Sequence, residues 1–245
     1  MTTFSSLALL LDFDGTLVPT ARTPDAVAVS DDLRALIAAA AERLEGRLAI
    51  VSGRSLEQLD ALWGRALWPL TVAASHGLEL RHDGRRRAPP EARIFTRLAR
   101  EAENRFGARN GVVIEVKSFG LGLHYRLAPR LGDSVGRWAR DLADEHGLVI
   151  QEGDMVFELR LPGADKGDAV RAIMELAPFA GSTPAYVGDD FTDIAAITAA
   201  RALGGRGFAV GGRIASHADA ALADPAAVHG RIRALVDGGT QAFIT

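Results

Sequence analysis

The stretch from Leu7 to Leu17 reads LALLLDFDGTL, and it limits what this chain can become. Five apolar residues follow one another with no polar alternation, which marks a strand buried on both faces. Such strands belong to parallel sheets with helices packed on either side. Two carboxylates, Asp12 and Asp14, come next, and Gly15 lets the chain turn sharply away. Ligands of open parallel sheets bind beyond the carboxyl ends of the strands. Asp12 and Asp14 are therefore read as a pair of carboxylates held at the rim of a rigid sheet. A calcium loop is excluded: glycine comes at the fourth position instead of the sixth, Thr23 fills the twelfth, and a strand precedes.

The same design recurs along the chain. Leu48 to Val51 is apolar and runs into Ser52-Gly53-Arg54. "LTVAASHGLEL" ends a third strand near Ser75-His76-Gly77, and Ala185 to Val187 leads into Gly188-Asp189-Asp190, with Asp193 close behind. Helix signals lie between them. Ser30 is placed to cap a helix opened by Asp31 and Asp32, with Leu33, Ile37 and Leu44 on one face. Ser55 caps a second helix that carries Leu56, Leu59 and Leu62.

The rhythm changes in the middle. "HDGRRR" reads as a hairpin turn. A helix follows from about Pro90 to Phe106, then "GVVIEVKS" and "GLGLHYRL", then a helix from Asp133 to His146. "GLVIQEGDMVFELRL" is another strand pair, turning at Gly153-Asp154. Strands this close in sequence pair antiparallel. The expected fold class is α/β: a Rossmann-like parallel-sheet core built from residues 1–79 and 162–245, with an α+β domain, residues 80–161, inserted between its halves. Beyond the insertion Lys166 falls near a helix start, and the final segment, 215–236, reads as helical stretches broken at Pro225.

Composition narrows the function. The net charge of −3 leaves no basic footprint for nucleic acid. No apolar run is long enough to span a bilayer, and no leader pattern opens the chain. Cysteine is absent, which excludes disulfide and thiolate chemistry. The expectation is a cytoplasmic monomer that meets neither nucleic acid nor membrane. Of the 28 basic residues only Lys117 and Lys166 are lysine. An ammonium is a compact point charge and a guanidinium a broad fork, so the two exceptions mark places where arginine does not fit.

The polar strand ends together suit a phosphate group. Carboxylates hold magnesium, which prefers oxygen ligands. Backbone N–H groups after Asp12, with Ser52 and Lys166, are donors for phosphoryl oxygens. No glycine-rich loop ending in Gly-Lys-Ser or Gly-Lys-Thr is present, so the site is not a nucleotide P-loop.

Asp12-x-Asp14-Gly15-Thr16, Ser52, Lys166 and Gly188-Asp189-Asp190-x-x-Asp193, in this order, resemble the four motifs of the haloacid dehalogenase-like phosphatases. The insertion resembles the substrate-covering cap of one branch of that superfamily. Within the branch, "LDFDGTLVP", "AIVSGRSLEQLDAL", "SHGLELR", "IEVKSFGLGLHYR", "FELRLPGADKG", "APFAGSTPAYVGDDFTD" and "RALGG" resemble the trehalose-6-phosphate phosphatases. The resemblance implies an Mg2+-dependent phosphatase whose partner is a small-molecule sugar phosphate. It implies that Asp12 is the nucleophile and Asp14 the general acid and base. Asp12, the carbonyl of Asp14, and Asp189 would hold Mg2+, with Asp190 or Asp193 acting through water. Ser52 and Lys166 would hold the phosphoryl group with help from Arg54. Glu115, Lys117 and Glu158 would grip sugar hydroxyls. His76 and Gly77 are expected near the ligand on a different ground, their place at a strand end. His124 reads as a packed sheet residue. One departure is Ile194, which stands where the family carries Glu and so removes a carboxylate from the support of the metal or of Lys166. The alternatives are a capped phosphatase for sucrose phosphate or a mannosyl phosphate ester, and a non-catalytic sugar-phosphate sensor.

Overall fold

β1 (Leu7–Leu11) is buried along its whole length, as an uninterrupted apolar run requires. The computed structural model describes residues 7–20, 27–89, 93–107, 110–153, 155–163, 165–238 and 243. The chain continues through α1 (Asp31–Arg43), β2 (Leu48–Val51), α2 (Leu56–Trp63), β3 (Thr71–Ala74), β4 (Glu79–His82) and β5 (Arg85–Arg87). Next come α3 (Ile94–Phe106), β6 (Val113–Lys117), β7 (Gly120–His124), α4 (Gly132–His146), β8 (Val149–Gly153) and β9 (Val156–Arg160). The last part holds α5 (Lys166–Met174), β10 (Thr183–Gly188), α6 (Ile194–Ala202), β11 (Arg206–Val210), β12 (Ala220–Leu222) and α7 (Pro225–Val236). The expected start of α3 at residues 90–92 and the turn residue Asp154 lie outside the described residues.

Two compact units result, Met1–Arg87 with Ala164–Thr245, and Ala88–Gly163. The first is built on an eight-stranded sheet of order β12-β11-β10-β1-β2-β3-β4-β5. It is parallel from β12 to β3 and antiparallel at β4 and β5. Alternate residues of β1 feed different layers. Leu7, Leu9 and Leu11 pack with Leu33 and Ile37 of α1, Leu59 of α2 and Ile232 of α7. Ala8 and Leu10 pack with Val170 and Ile173 of α5 and Ile197 of α6. The helix signals are realised: Ser30 accepts from the N–H of Leu33, and Ser55 forms a capping box with Gln58.

The second unit is a four-stranded antiparallel sheet of order β6-β7-β9-β8. Leu121, Leu123, Phe157 and Leu159 pack against Phe95 and Leu98 of α3 and Val135 and Leu142 of α4. The intervening residues of these strands face away from the helices.

Two expectations differ from the structure. Residues 79–87, expected mostly in the insertion, form a hairpin through Asp83 and Gly84, both at positive φ, and this hairpin extends the core sheet. Alternation within β4 signals a strand but carries no information about which sheet it joins. At the other end, Pro225 begins a helix instead of breaking one. Asp224 accepts from the N–H of Ala227, and proline at the first helical position sacrifices no intrahelical bond.

The β4–β5 hairpin holds a carboxylate with no exposure. Glu79 accepts from the backbone N–H of Leu56 at 3.2 Å and from Ser75 Oγ at 3.1 Å, and it pairs with Arg86 of β5. It thus ties the end of β3 to the start of α2. Removing one partner of a buried pair costs about 3–5 kcal/mol, but Arg86 is 57% exposed and water screens it. Arg86→Ala is therefore expected to destabilise the protein by on the order of 2 kcal/mol, read as a lowered urea midpoint. An unchanged midpoint would show that the hairpin is held without this pair.

Candidate active site

The parallel strands end on one rim of the core sheet, and the polar residues that follow them gather there. Asp12 is 3% exposed, and its backbone N–H is bonded to the carbonyl of Val187 at 2.9 Å. Lys166, the first residue of α5, reaches across the rim to Asp12 Oδ1 at 2.6 Å and to Asp193 Oδ1 at 2.7 Å. An ammonium at a helix N-terminus faces the positive end of the dipole. The two carboxylates outweigh that cost.

Asp193 is fully buried and accepts four hydrogen bonds. Oδ1 takes Lys166 Nζ and the hydroxyl of Tyr186 at 2.6 Å. Oδ2 takes the backbone N–H groups of Asp189 at 3.1 Å and Asp190 at 2.9 Å. Asp193 therefore fixes both the lysine and the loop after β10. Ile194 takes no part in this network, whose four donors to Asp193 are Lys166, Tyr186 and the two backbone N–H groups. Ile194 packs instead against the apolar layer of α5 and α6. Tyr186 was not legible as a site residue, since an aromatic in a buried strand reads as core. Burial, then the neighbouring carboxylates, push its pKa well above the usual tyrosine value, so it stays a donor.

Carboxylate oxygens of Asp12, Asp189 and Asp193 lie within 4.8 Å of one another. Against these three carboxylates stands the ammonium of Lys166. Burial raises the pKa of Asp12 to about 8 against the opposing pull of Lys166, and Asp193 and Asp189 add to the rise. Asp189 is raised to about 6 by burial, then by Asp193 and Asp190. For Lys166, burial alone would lower the pKa, but Asp12 and Asp193 reverse the sign and raise it. A site this rich in oxygen donors and short of positive charge fits a hard divalent cation. Gly15 belongs to the same arrangement: at φ 82°, a Cβ on it would collide with the Asp189 carboxylate.

A cavity of about 330 Å³ opens here, lined by Asp12, Asp14, Arg54, His76, Lys166, Asp189 and Asp190, together with Gly53, Gln58 and Thr192. Arg54 forms a two-pronged pair with Asp14, Nε to Oδ2 at 2.7 Å and NH2 to Oδ1 at 2.8 Å. Its guanidinium lies 5.6 Å from the Phe13 ring centroid. Ser52 is buried, and its Oγ accepts the N–H of Arg54 at 3.1 Å. Asp190 pairs with Arg213 at 2.8 Å; burial opposes ionisation, but the arginine holds its pKa below the ordinary value. His76 is presented by an unusual turn, with Ser75 at φ 50°, His76 at φ 57° and Gly77 at φ 102°. Left-handed backbone costs a non-glycine residue about 1–2 kcal/mol. Bonds from Ser75 N–H to Arg54 O at 2.8 Å and from His76 N–H to Ser52 O at 2.9 Å offset it. Gly77 supports this turn and is not a lining residue.

Glu115, Lys117 and Glu158 belong to the inserted unit and form a cluster of their own. Lys117 Nζ lies 3.0 Å from Glu158 and 3.9 Å from Glu115.

The sheet order, the inserted unit and the acidic rim define the fold of the haloacid dehalogenase-like hydrolases. The sequence profile of the trehalose-phosphatase family matches residues 10–211. A probable trehalose-phosphate phosphatase of Sinorhizobium fredii is 39% identical over 96% of this chain and 89% of its own length. The trehalose-6-phosphate phosphatase of Escherichia coli is 34% identical over 83% of this chain and 77% of its own. A structure of Aspergillus fumigatus trehalose-6-phosphate phosphatase superposes with a TM-score of 0.67 at 27% identity, covering 95% of this chain and 93% of that one. The chain belongs to the trehalose-phosphatase family. Among the described residues no helix is long and apolar enough to cross a membrane.

Tyr186→Phe keeps the ring and deletes one hydrogen bond to the Asp193 carboxylate. Turnover is expected to fall about tenfold, equally for trehalose 6-phosphate and for p-nitrophenyl phosphate, with the circular dichroism spectrum unchanged. Full activity on both substrates would reduce Tyr186 to a packing role.

Proposed function

We propose that this chain hydrolyses trehalose 6-phosphate to trehalose and phosphate through an aspartyl phosphate on Asp12, with Mg2+ as cofactor. The observation that carries the reading is the buried Asp12 carboxylate, gripped by Lys166 at one oxygen and facing a cavity shared with Asp14. Lys166 takes Oδ1 of Asp12, and among the described residues Oδ2 has no hydrogen-bond donor. That oxygen attacks phosphorus while the bond to the sugar oxygen breaks. Asp14 gives the departing oxygen its proton, then takes one from the water that cleaves the acyl phosphate and restores Asp12. Arg54 holds the Asp14 carboxylate toward the cavity until the substrate is in place. Lys166, the N–H groups after Asp12 and the Ser52 turn receive the phosphoryl oxygens.

Asp12 and Asp189, with the carbonyl of Asp14, would hold Mg2+. When bound, the cation supplies positive charge to the phosphoryl oxygens and offsets the repulsion among the carboxylates. Asp193 stands behind, holding Lys166 and the 189–190 loop, while Asp190 is engaged by Arg213. Glu115, Lys117 and Glu158 are assigned to the sugar, as donors and acceptors for its hydroxyls.

A phosphate-release screen over a panel of sugar phosphates with Mg2+ tests the substrate: trehalose 6-phosphate should exceed sucrose phosphate and mannosyl phosphate esters. A different best substrate would overturn the assignment. Asp12→Asn should abolish release while the protein still folds, because an amide is neither a nucleophile nor a good metal ligand. Wild-type turnover by a homogeneous preparation would end the covalent mechanism.

Metal binding should depend on pH with a definite sign. Protons occupy Asp12 and Asp189 below about 8 and about 6, and a cation must displace them. The half-saturating Mg2+ concentration is expected to fall by about tenfold or more between pH 6 and pH 8. A constant value across this range would exclude proton competition at these carboxylates.

A further inference from the structure

The helix-free face of the four-stranded sheet is built around missing side chains. β7 reads Gly-Leu-Gly-Leu-His, and both glycines fall on this face. Glycine inside a strand weakens it and marks close approach by a backbone or a ligand. The register sets Glu115 of β6, Gly122 of β7 and Glu158 of β9 in one row. Lys117, Gly120 and Arg160 form the next. Side chains from the flanking strands lean over the bare one. Lys117 reaches Glu158 at 3.0 Å across β7, and a Cβ on Gly122 would lie 3.0 Å from His124 Nε2 and 3.1 Å from Glu115 Oε2.

His124 is not packed in the interior. Its side chain is 40% exposed, and Nε2 lies 2.9 Å from Glu115 Oε2, the oxygen that also faces Lys117. Among the described residues, Oε1 of Glu115 and Oε1 of Glu158 have no hydrogen-bond donor. A Cβ on Gly120 would meet the Leu159 carbonyl at 2.9 Å, which accounts for that glycine, but a surface ion pair, worth only about 0–1 kcal/mol, is too little to account for Gly122, where a Cβ would meet only side chains. A groove that presents two carboxylate acceptors and one ammonium over bare backbone suits the adjacent hydroxyls of a hexose ring.

We propose that His124 is a positioning residue for sugar recognition, holding Glu115 over Gly122 so that its second oxygen meets a hydroxyl of the substrate. The proposal rests on the assignment of Glu115, Lys117 and Glu158 to the sugar. His124 donates from Nε2 to Oε2, which fixes the side-chain rotation of Glu115 and leaves Oε1 directed into the groove. Specificity for the sugar thus depends on a residue that need not touch it.

The test compares kcat/KM for trehalose 6-phosphate with that for p-nitrophenyl phosphate, which has no sugar, in the full chain. His124→Ala should lower the ratio of the two about tenfold. His124→Gln, which keeps an N–H donor, should recover most of it. The double variant His124→Ala/Glu115→Gln should be no worse than Glu115→Gln alone, because residues acting through one contact are not additive. An unchanged ratio in His124→Ala overturns the proposal, and so does an equal fall on both substrates, which would mean a role in folding. Additive losses would also overturn it, since His124 would then act on its own. If Glu115→Gln leaves the ratio unchanged, the sugar assignment itself fails and the role of His124 falls with it.

Discussion

The buried ammonium of Lys166 is the contact on which the core depends. It joins Asp12, 154 residues earlier in the chain, to Asp193, 27 residues later. The first segment of the core therefore meets the second at the atoms that carry the chemistry. An ionised lysine with 4% exposure is tolerated only with partners, and here both partners are carboxylates, of which Asp193 is itself held by a tyrosine hydroxyl and two backbone N–H groups. The pairing also explains why the acidic rim does not fly apart before a cation arrives. One positive charge among three carboxylates is enough to assemble the site and too little to neutralise it once all three ionise.

That imbalance is positioned by the sheet. β1 lies between β10 and β2, so Asp12, Asp189 and Ser52 emerge side by side although the insertion separates their segments in sequence. The rim is stiffened from beneath. Glu79 binds the start of α2 and the turn at Ser75, and the turn binds back to Ser52 and Arg54. His76 is thereby carried to the cavity on a left-handed backbone that would relax if these bonds were lost.

Much of this was legible in the residues. Apolar runs ended by Asp, Ser or Gly-Asp-Asp announced the parallel strands and their functional ends, and Ser30 and Ser55 announced their helices. What stayed hidden shares a physical reason. Glu79 lies in an alternating strand, where a carboxylate reads as a solvent-facing residue, and only the pairing of β4 with β3 buries it. Tyr186 reads as core until its hydroxyl is seen on Asp193. Asp193 reads as a ligand among ligands, and the sequence has no means of recording that its four hydrogen bonds point inward. His124 reads as packing because a period of two says which residues share a face, not which face is covered.

The distribution of lysine connects the two clusters. Both lysines of a chain otherwise written in arginine stand where two carboxylates converge: Lys166 on Asp12 and Asp193, Lys117 on Glu158 and Glu115. A guanidinium spreads its charge over a planar fork that matches one carboxylate in two-pronged fashion, as Arg54 does on Asp14. It serves a pair well. A point where carboxylates approach from different elements needs a small charge whose donors radiate, and an ammonium supplies three from one atom. At Lys166 burial leaves no room for a larger head group. At Lys117, 40% exposed, space is not the limit and geometry decides: the ammonium lies between glutamates of β6 and β9, on either side of a glycine strand. The same constraint, one cation shared by carboxylates from separate strands or helices, has selected the same residue in both units.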